Sequence, residues 1–280
     1  MLKTRVVTAF LLLAVVVPAL IWLPPRGWAV FVLIFVGAAA WEWGRLAGLP
    51  GHGPLALAMV VSMSGLSMLA WASAPILALT VTLLSMATLL WLAVVPYWLR
   101  ARAMAPSGLR LATAGWFMLL ACWYSVWIAR ESGAVYLFLL IGVVWVADIA
   151  AYFCGKAFGR HKLAPSISPG KTWEGVAGAV GAVQILAVIC VLAQVRAPNY
   201  FGEVFGALGW AGVVLVAFLL TGVSVIGDLF ESLLKRRADV KDSSNLLPGH
   251  GGVLDRIDAI LPTLPVAVCI STLLALRGAP

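Results

Sequence analysis

The sequence predicts an all-α fold: a polytopic integral membrane protein of about nine transmembrane helices, eight being the alternative count, with a cytoplasmic N-terminus. Three observations carry that prediction. Of 280 residues, 63% are hydrophobic and 11% charged, at a mean hydropathy of +1.04, whereas a soluble domain is about 45–50% apolar and about 25% charged. A water-soluble fold of this size cannot hide so much apolar surface, which excludes a soluble globular enzyme, a disordered chain and a nucleic-acid-binding module. The apolar residues also fall into stretches near the ~20 residues that a bilayer-spanning helix needs. Finally, the cations lie mostly on one side of those stretches.

The stretches run over 6–23, 28–43, 55–72, 75–95, 111–129, 134–154, 175–195, 204–227 and 259–277. Lys3 and Arg5 precede the first, as in a signal peptide. However, no small-x-small cleavage site follows its core and a second stretch starts at once, so it reads as a retained helix. Turn-forming residues separate the successive stretches: Pro24-Pro25, then Gly48-Leu49-Pro50-Gly51, then Pro106-Ser107-Gly108 before the fifth stretch. Ser73-Ala74-Pro75 is the weakest break, and joining the stretches it separates gives eight.

With nine spans, one side holds Lys3, Arg5, Arg45, Arg100, Arg102, Arg110, Lys156, Arg160, Lys162, Lys171, Lys235, Arg236, Arg237, Lys241 and Arg256. The other holds Arg26, Arg130, Arg196 and Arg277. Fifteen against four places the first side in the cytoplasm and the C-terminus outside. The net charge of +8 is therefore mostly topology rather than a nucleic-acid footprint. Cys122, Cys154, Cys190 and Cys269 sit singly in apolar runs, as buried thiols.

Carboxylates divide the chain. Residues 1–147 contain only Glu42 and Glu131, and residues 148–280 contain the other nine. Residues 1–130 thus read as hydrophobic packing helices and 131–280 as the catalytic region, with cytoplasmic loops at 155–174 and 235–258. There is no convincing internal repeat, which weighs against an inverted-repeat transporter.

Three polar clusters lie in the second half. Asp148 stands near the cytoplasmic end of an apolar helix, where an ionised carboxylate faces a watery cavity and a cation, or else snorkels to the interface. Beyond it, Gly155, Gly159, Pro165 and Pro169 force a loop that presents Ser166, Ser168, Thr172 and four cations including Lys171, a set suited to polyphosphate oxygens. The P-loop pattern is absent. In the second cluster, Asp228, Glu231, Ser232 and Lys235 share one helical face, with Arg236 and Arg237 beyond them. In the third, Pro248-Gly249-His250-Gly251-Gly252 makes a tight turn before Asp255 and Asp258, three apart on one helix face. Such carboxylates suit Mg²⁺, which keeps several waters and bridges to phosphates. His250 reads as a phosphate-bonding loop residue rather than a zinc ligand or nucleophile.

The third cluster and the turn before it resemble a known signature. Ser232-x-Leu234-Lys235-Arg236-x4-Lys241-Asp242-x-Ser244-x2-Leu247-Pro248-x-His250-Gly251-Gly252-Val253-x-Asp255-Arg256-Ile257-Asp258 is similar, at every specified position, to the phosphatidate cytidylyltransferase family, also called CDP-diacylglycerol synthases. The first cluster resembles the family's upstream block in Asp148, Ala151-Tyr152-Phe153 and Ser168-Pro169-x-Lys171-Thr172-Trp173-Glu174-Gly175. It departs at Ile149, where the family commonly has Thr, and at Gly170, where it often has Lys. The resemblance is strong over about 140–260 and rests on hydrophobicity alone over the first 130 residues.

The resemblance implies Mg²⁺-dependent transfer of CMP from CTP to phosphatidic acid, giving CDP-diacylglycerol and pyrophosphate at a cytoplasm-facing site of the inner membrane. It implies Asp228 and Asp255 as metal ligands, with Asp258 and Asp148 holding a second cation or orienting Lys and Arg. Lys171, Ser168 and Thr172 would take the triphosphate, with Ser166, Glu174 and Ser232 among the substrate-binding residues. Lys235, Arg236, Lys241 and Arg256 would hold the lipid phosphate or the leaving pyrophosphate, and His250 would hydrogen-bond a phosphate. A homodimer is left open. The competing readings are a CTP-dependent polyprenol kinase and a cation-coupled membrane transporter; the complete signature disfavours the first and the Ser-Pro-Gly-Lys-Thr run the second.

Overall fold

The computed structural model describes residues 2–72, 75–101, 106–193 and 198–278, with the backbone alone at 2–6, 9 and 278. The side chains of Lys3 and Arg5, all of Arg102 and Arg196, and the Ser73-Ala74 break lie outside the described residues. The helices are α1 (Leu2–Trp22), α2 (Pro25–Leu46), α3 (Gly53–Trp71), α4 (Leu77–Leu89), α5 (Val95–Arg100), α6 (Gly108–Glu131) and α7 (Ala134–Phe158). After a hairpin of β1 (Lys162–Ala164) and β2 (Ser168–Thr172) come α8 (Trp173–Ala193), α9 (Tyr200–Arg237), α10 (Leu254–Ile257) and α11 (Ile260–Gly278).

Among the described residues each expected apolar stretch lies mostly in helix, and the chain is a multi-pass, helical membrane protein. Among the described residues, eight helices are long and apolar enough to cross a bilayer, Leu77–Arg100 counting as one. The apolar part of α1, Phe10–Trp22, is shorter.

Two features differ from the sequence expectation and a third, the extent of α9, agrees with it. A π-helical turn, Leu90–Val94, joins α4 to α5 just before Pro96. Pro96 has no N–H for the helical ladder and crowds the preceding turn, a strain that a widened turn absorbs. Helix α9 runs on to Arg237, ten residues past the apolar stretch, so the second polar cluster is helical throughout. It kinks at Gly209, whose φ of 65° only glycine adopts cheaply. The 155–174 loop contains an antiparallel hairpin in which Lys162 faces Thr172 and Ala164 faces Ser168, with Pro165 and Ser166 in its turn.

The N-terminal helices grip the helix that carries the second cluster. Phe230 of α9 packs between Trp43 of α2 (6.0 Å between ring centroids), Trp91 of the π turn (5.9 Å) and Trp98 of α5 (5.8 Å, stacked). Trp43 and Phe230 are both buried, and the Trp43 indole N–H donates to the Leu111 carbonyl across 2.8 Å.

Loops meet at one end of the bundle. There Gly108 N–H donates to Ala47 O (2.8 Å), Arg237 Nη1 to Pro106 O (3.0 Å) and Arg236 Nε to Ile167 O (3.3 Å). Far from these, Arg130 donates to the Leu20 and Leu23 carbonyls and Arg26 to that of Leu69. The segments rich in Lys and Arg thus gather at a common end, opposite Arg26 and Arg130.

Candidate active site

Asp148 (α7), Lys171 (β2), Asp228 (α9) and Asp258, just past α10, share the loop-rich end. Lys171 Nζ forms an ion pair with Asp228 Oδ2, linking hairpin to helix. Asp148 is exposed and within electrostatic range of Asp228, Lys171 and Arg256. Asp258 is half-buried; burial, and then repulsion from Asp228, raises its pKa. Ser232 donates weakly to Asp228 Oδ1 at 3.4 Å. Close approach of α9 to Asp258 depends on Gly227, because a Cβ there would collide with the Asp258 carbonyl oxygen and stand 2.7 Å from Pro262 Cγ.

Asp255 is placed differently. Its Oδ1 accepts from Lys235 Nζ (2.6 Å), and its Oδ2 accepts from the Ser243 N–H (2.9 Å), the Ser243 hydroxyl (2.8 Å) and the Gly252 N–H (2.8 Å). Burial alone would raise the pKa of Asp255, but these bonds, led by that of Lys235, outweigh it and hold the carboxyl at about 2. Of the two metal ligands that the resemblance implies, Asp255 is thus bonded to its loop and to Lys235, while Asp228 is paired with Lys171. Asp255 spends its oxygens on the loop and on Lys235, and Asp228 instead adjoins Asp148 and Asp258.

Lys235 is likewise engaged, bridging Glu231 Oε2 (2.5 Å) and Asp255 Oδ1, with all three side chains largely buried. Arg256, Lys241 and Arg236 are exposed, and among the described residues none has a carboxylate within ion-pairing distance. Arg236 is the one of these that clamps the hairpin, through Ile167 O. Gly249 and Gly251, at φ of 77° and 82°, turn the chain around His250, whose Nδ1 is buried and has no hydrogen-bond partner among the described residues.

Two residues expected on substrate make local bonds around the hairpin. Thr172 is buried and its Oγ1 accepts from the Gly175 N–H (3.2 Å), capping α8. Glu174 accepts from the His161 backbone N–H (3.2 Å to each oxygen) and lies 2.7 Å from its ring Nδ1. Ser166 and Ser168 remain on the hairpin, exposed and half-buried, with Gly170 beside Lys171 in open space.

One residue escaped the sequence reading. Glu42, from the half assigned to packing, is fully buried and binds the loop that leads to Asp255.

A divalent cation fits this chemistry. Among the described residues no three His, Cys, Asp or Glu side chains form a ready cage, and Mg²⁺ typically takes one or two carboxylates and fills its shell with water and substrate phosphates. Asp228, repelled by Asp148 and Asp258 and, among the described residues, ion-paired with Lys171 alone, supplies such a carboxylate.

Comparison with known proteins agrees in outline. Residues 3–274 match the cytidylyltransferase family. The phosphatidate cytidylyltransferase of Pseudomonas aeruginosa is 39% identical over 95% of this chain and 95% of its own. That of Haemophilus influenzae is 33% identical over 95% and 96%, respectively. That of Brucella suis is 50% identical over a shorter region, 44% of this chain and 41% of its own.

Proposed function

Since the chain belongs to the cytidylyltransferase family and is a nucleotidyltransferase, we propose that it transfers CMP from CTP to phosphatidate, yielding CDP-diacylglycerol and pyrophosphate. The observation that carries this reading is the meeting of Asp148, Asp228 and Asp258 with Lys171 and Arg256 at the loop end of a membrane bundle. Carboxylates and cations in one place suit metal-assisted phosphate chemistry, and helices all round suit a lipid acceptor.

A phosphate oxygen of the lipid forms the new bond to the α-phosphorus of CTP as the α–β bridging bond breaks in line. The attacking oxygen is already anionic near neutral pH, so no strong base is required. Bound Mg²⁺ would neutralise phosphate charge and polarise the reacting phosphorus; Asp228, with Asp258 and Asp148, would hold it. Lys171 sits where a triphosphate would replace Asp228 as its partner. Arg256, Lys241 and Arg236 carry charge that their surroundings leave available for the lipid phosphate and the leaving pyrophosphate. The buried, unpartnered Nδ1 of His250 suits a phosphate hydrogen bond. Asp255 and Lys235, bonded to one another, hold this frame rather than touch substrate.

The inner membrane, with the site facing the cytoplasm and nine spans, is inferred from the fifteen-to-four cation bias and from the shared end of the loops. CTP is a cytoplasmic metabolite, consistent with that orientation.

The test supplies CTP, Mg²⁺ and phosphatidate to purified protein in mixed micelles and quantifies lipid product by mass spectrometry. Equimolar CDP-diacylglycerol and pyrophosphate are expected. A phosphorylated polyprenol formed when polyprenol replaces phosphatidate, with no CDP-lipid, would overturn the assignment.

A further inference from the structure

We propose that Glu42, on α2, is a positioning residue for the active site. Resting on the function proposed above, it would fix the loop and short helix that deliver Asp255, Arg256 and Asp258. Glu42 is 0% exposed. Its Oε1 accepts from the Ser244 hydroxyl (2.5 Å) and the Val253 N–H (3.0 Å), and its Oε2 accepts from the Leu254 N–H (2.6 Å). All three partners are donors, and among the described residues no cation pairs with it. A buried carboxylate without a cation is costly unless such bonds satisfy it. An aliphatic side chain would serve mere packing on α2 at less cost.

Adjacent serines divide the work. Ser243 bonds to Asp255 and Ser244 to Glu42, so the loop is held between one carboxylate of its own helix and one from a helix about 200 residues earlier in the chain. Gly252 lies between them. A Cβ there would collide with both Ser243 Oγ and Glu42 Oε1, so the two grips close on a position that admits only glycine. The two amides bound by Glu42, those of Val253 and Leu254, immediately precede Asp255. Displacing them displaces every charged group of α10. The next residue on α2, Trp43, packs on Phe230, two residues from Asp228 in sequence. One turn of α2 thereby sets both polar segments of the site, which gives the N-terminal half a role beyond packing.

Full-length Glu42→Gln and Glu42→Asp proteins test this. Loss of an outer-shell contact of this kind typically lowers activity about 10–100-fold. Glu42→Gln is expected to lower kcat by about that factor with KM for CTP nearly unchanged, and Glu42→Asp to recover part of it. Amide hydrogen exchange supplies a readout independent of turnover: Glu42→Gln should accelerate exchange across 243–258 while the membrane part of α9 exchanges as before. Wild-type kcat in Glu42→Gln, or exchange that rises uniformly along the chain, would overturn the role. If the wild-type protein transfers no CMP, the proposed reaction fails, and the exchange data alone decide Glu42: local acceleration sustains it and an unchanged 243–258 overturns it.

Discussion

Lys171 of the hairpin and Asp228 of α9 form an ion pair that ties the two sequence-distant halves of the site together. Both side chains are about a quarter to a third exposed, so the pair itself adds little stability, about 1 kcal/mol or less. Under the proposed reaction its meaning is electrostatic, since Lys171 would then exchange Asp228 for triphosphate oxygens. Replacing Lys171 by Ala should raise KM for CTP about tenfold or more, equivalent to ~1.4 kcal/mol, and leave thermal stability nearly unchanged. Steady-state kinetics and a melting curve of the same sample decide it; an unaltered KM for CTP would remove Lys171 from the triphosphate site.

Asp228 and Asp255 should respond differently to the same change. Asp228→Asn should abolish turnover with little loss of stability. Asp255→Asn should abolish turnover too, but it also removes one of the two carboxylates that Lys235 bridges and turns an amide toward the Ser243 and Gly252 donors. Leaving the buried Ser243 and Gly252 donors without their acceptor costs about 1–3 kcal/mol. Differential scanning of both variants in detergent should show a clear drop in Tm for Asp255→Asn alone. Equal melting of the two would mean that Asp255 does not hold the loop.

Asp255 also fixes a pH dependence. Its carboxyl titrates at about 2 when folded and at about 3.9 when unfolded. A depressed folded pKa adds stability that is complete above the unfolded value and is lost as pH falls from about 4 toward 2. The Tm gap between wild type and Asp255→Asn should therefore be constant from about pH 5 to 7 and shrink below about pH 4. A gap that stays constant down to about pH 2 would contradict the bonding described for Asp255.

Gly170 stands where the resemblance leads one to expect Lys, and nothing lies within 4 Å of a Cβ built there. Gly170→Lys should fold normally and lower KM for CTP by adding a cation beside Lys171. A raised KM or a lowered Tm would show that glycine is needed at this hairpin position.

Much of this architecture is legible in the sequence, because long apolar runs and Pro-Gly breaks report directly on helices and their ends. The polar stripe of Asp228, Glu231, Ser232 and Lys235 is set by helical spacing, and α9 carries it as expected. What sequence does not reveal is who bonds to whom. Asp255 reads as a free ligand until Ser243, Gly252 and Lys235 surround it. Thr172 and Glu174 sit in a phosphate-like run, yet their short-range partners, Gly175 and His161, take them. The hairpin hides behind Pro165, Pro169 and Gly170, which signal a loop. Glu42 offered one clue, a lone carboxylate in an apolar helix, but its partners lie about 200 residues away, beyond any local pattern.

The most direct measurement tracks two labels on CTP, one on the α-phosphate and one on the γ-phosphate, with phosphatidate micelles, with and without EDTA. The α label alone is expected to become lipid-soluble, EDTA to stop it, and Asp228→Asn protein to move neither label. Passage of the γ label into lipid, or α-label transfer undiminished in Asp228→Asn protein, would contradict that expectation.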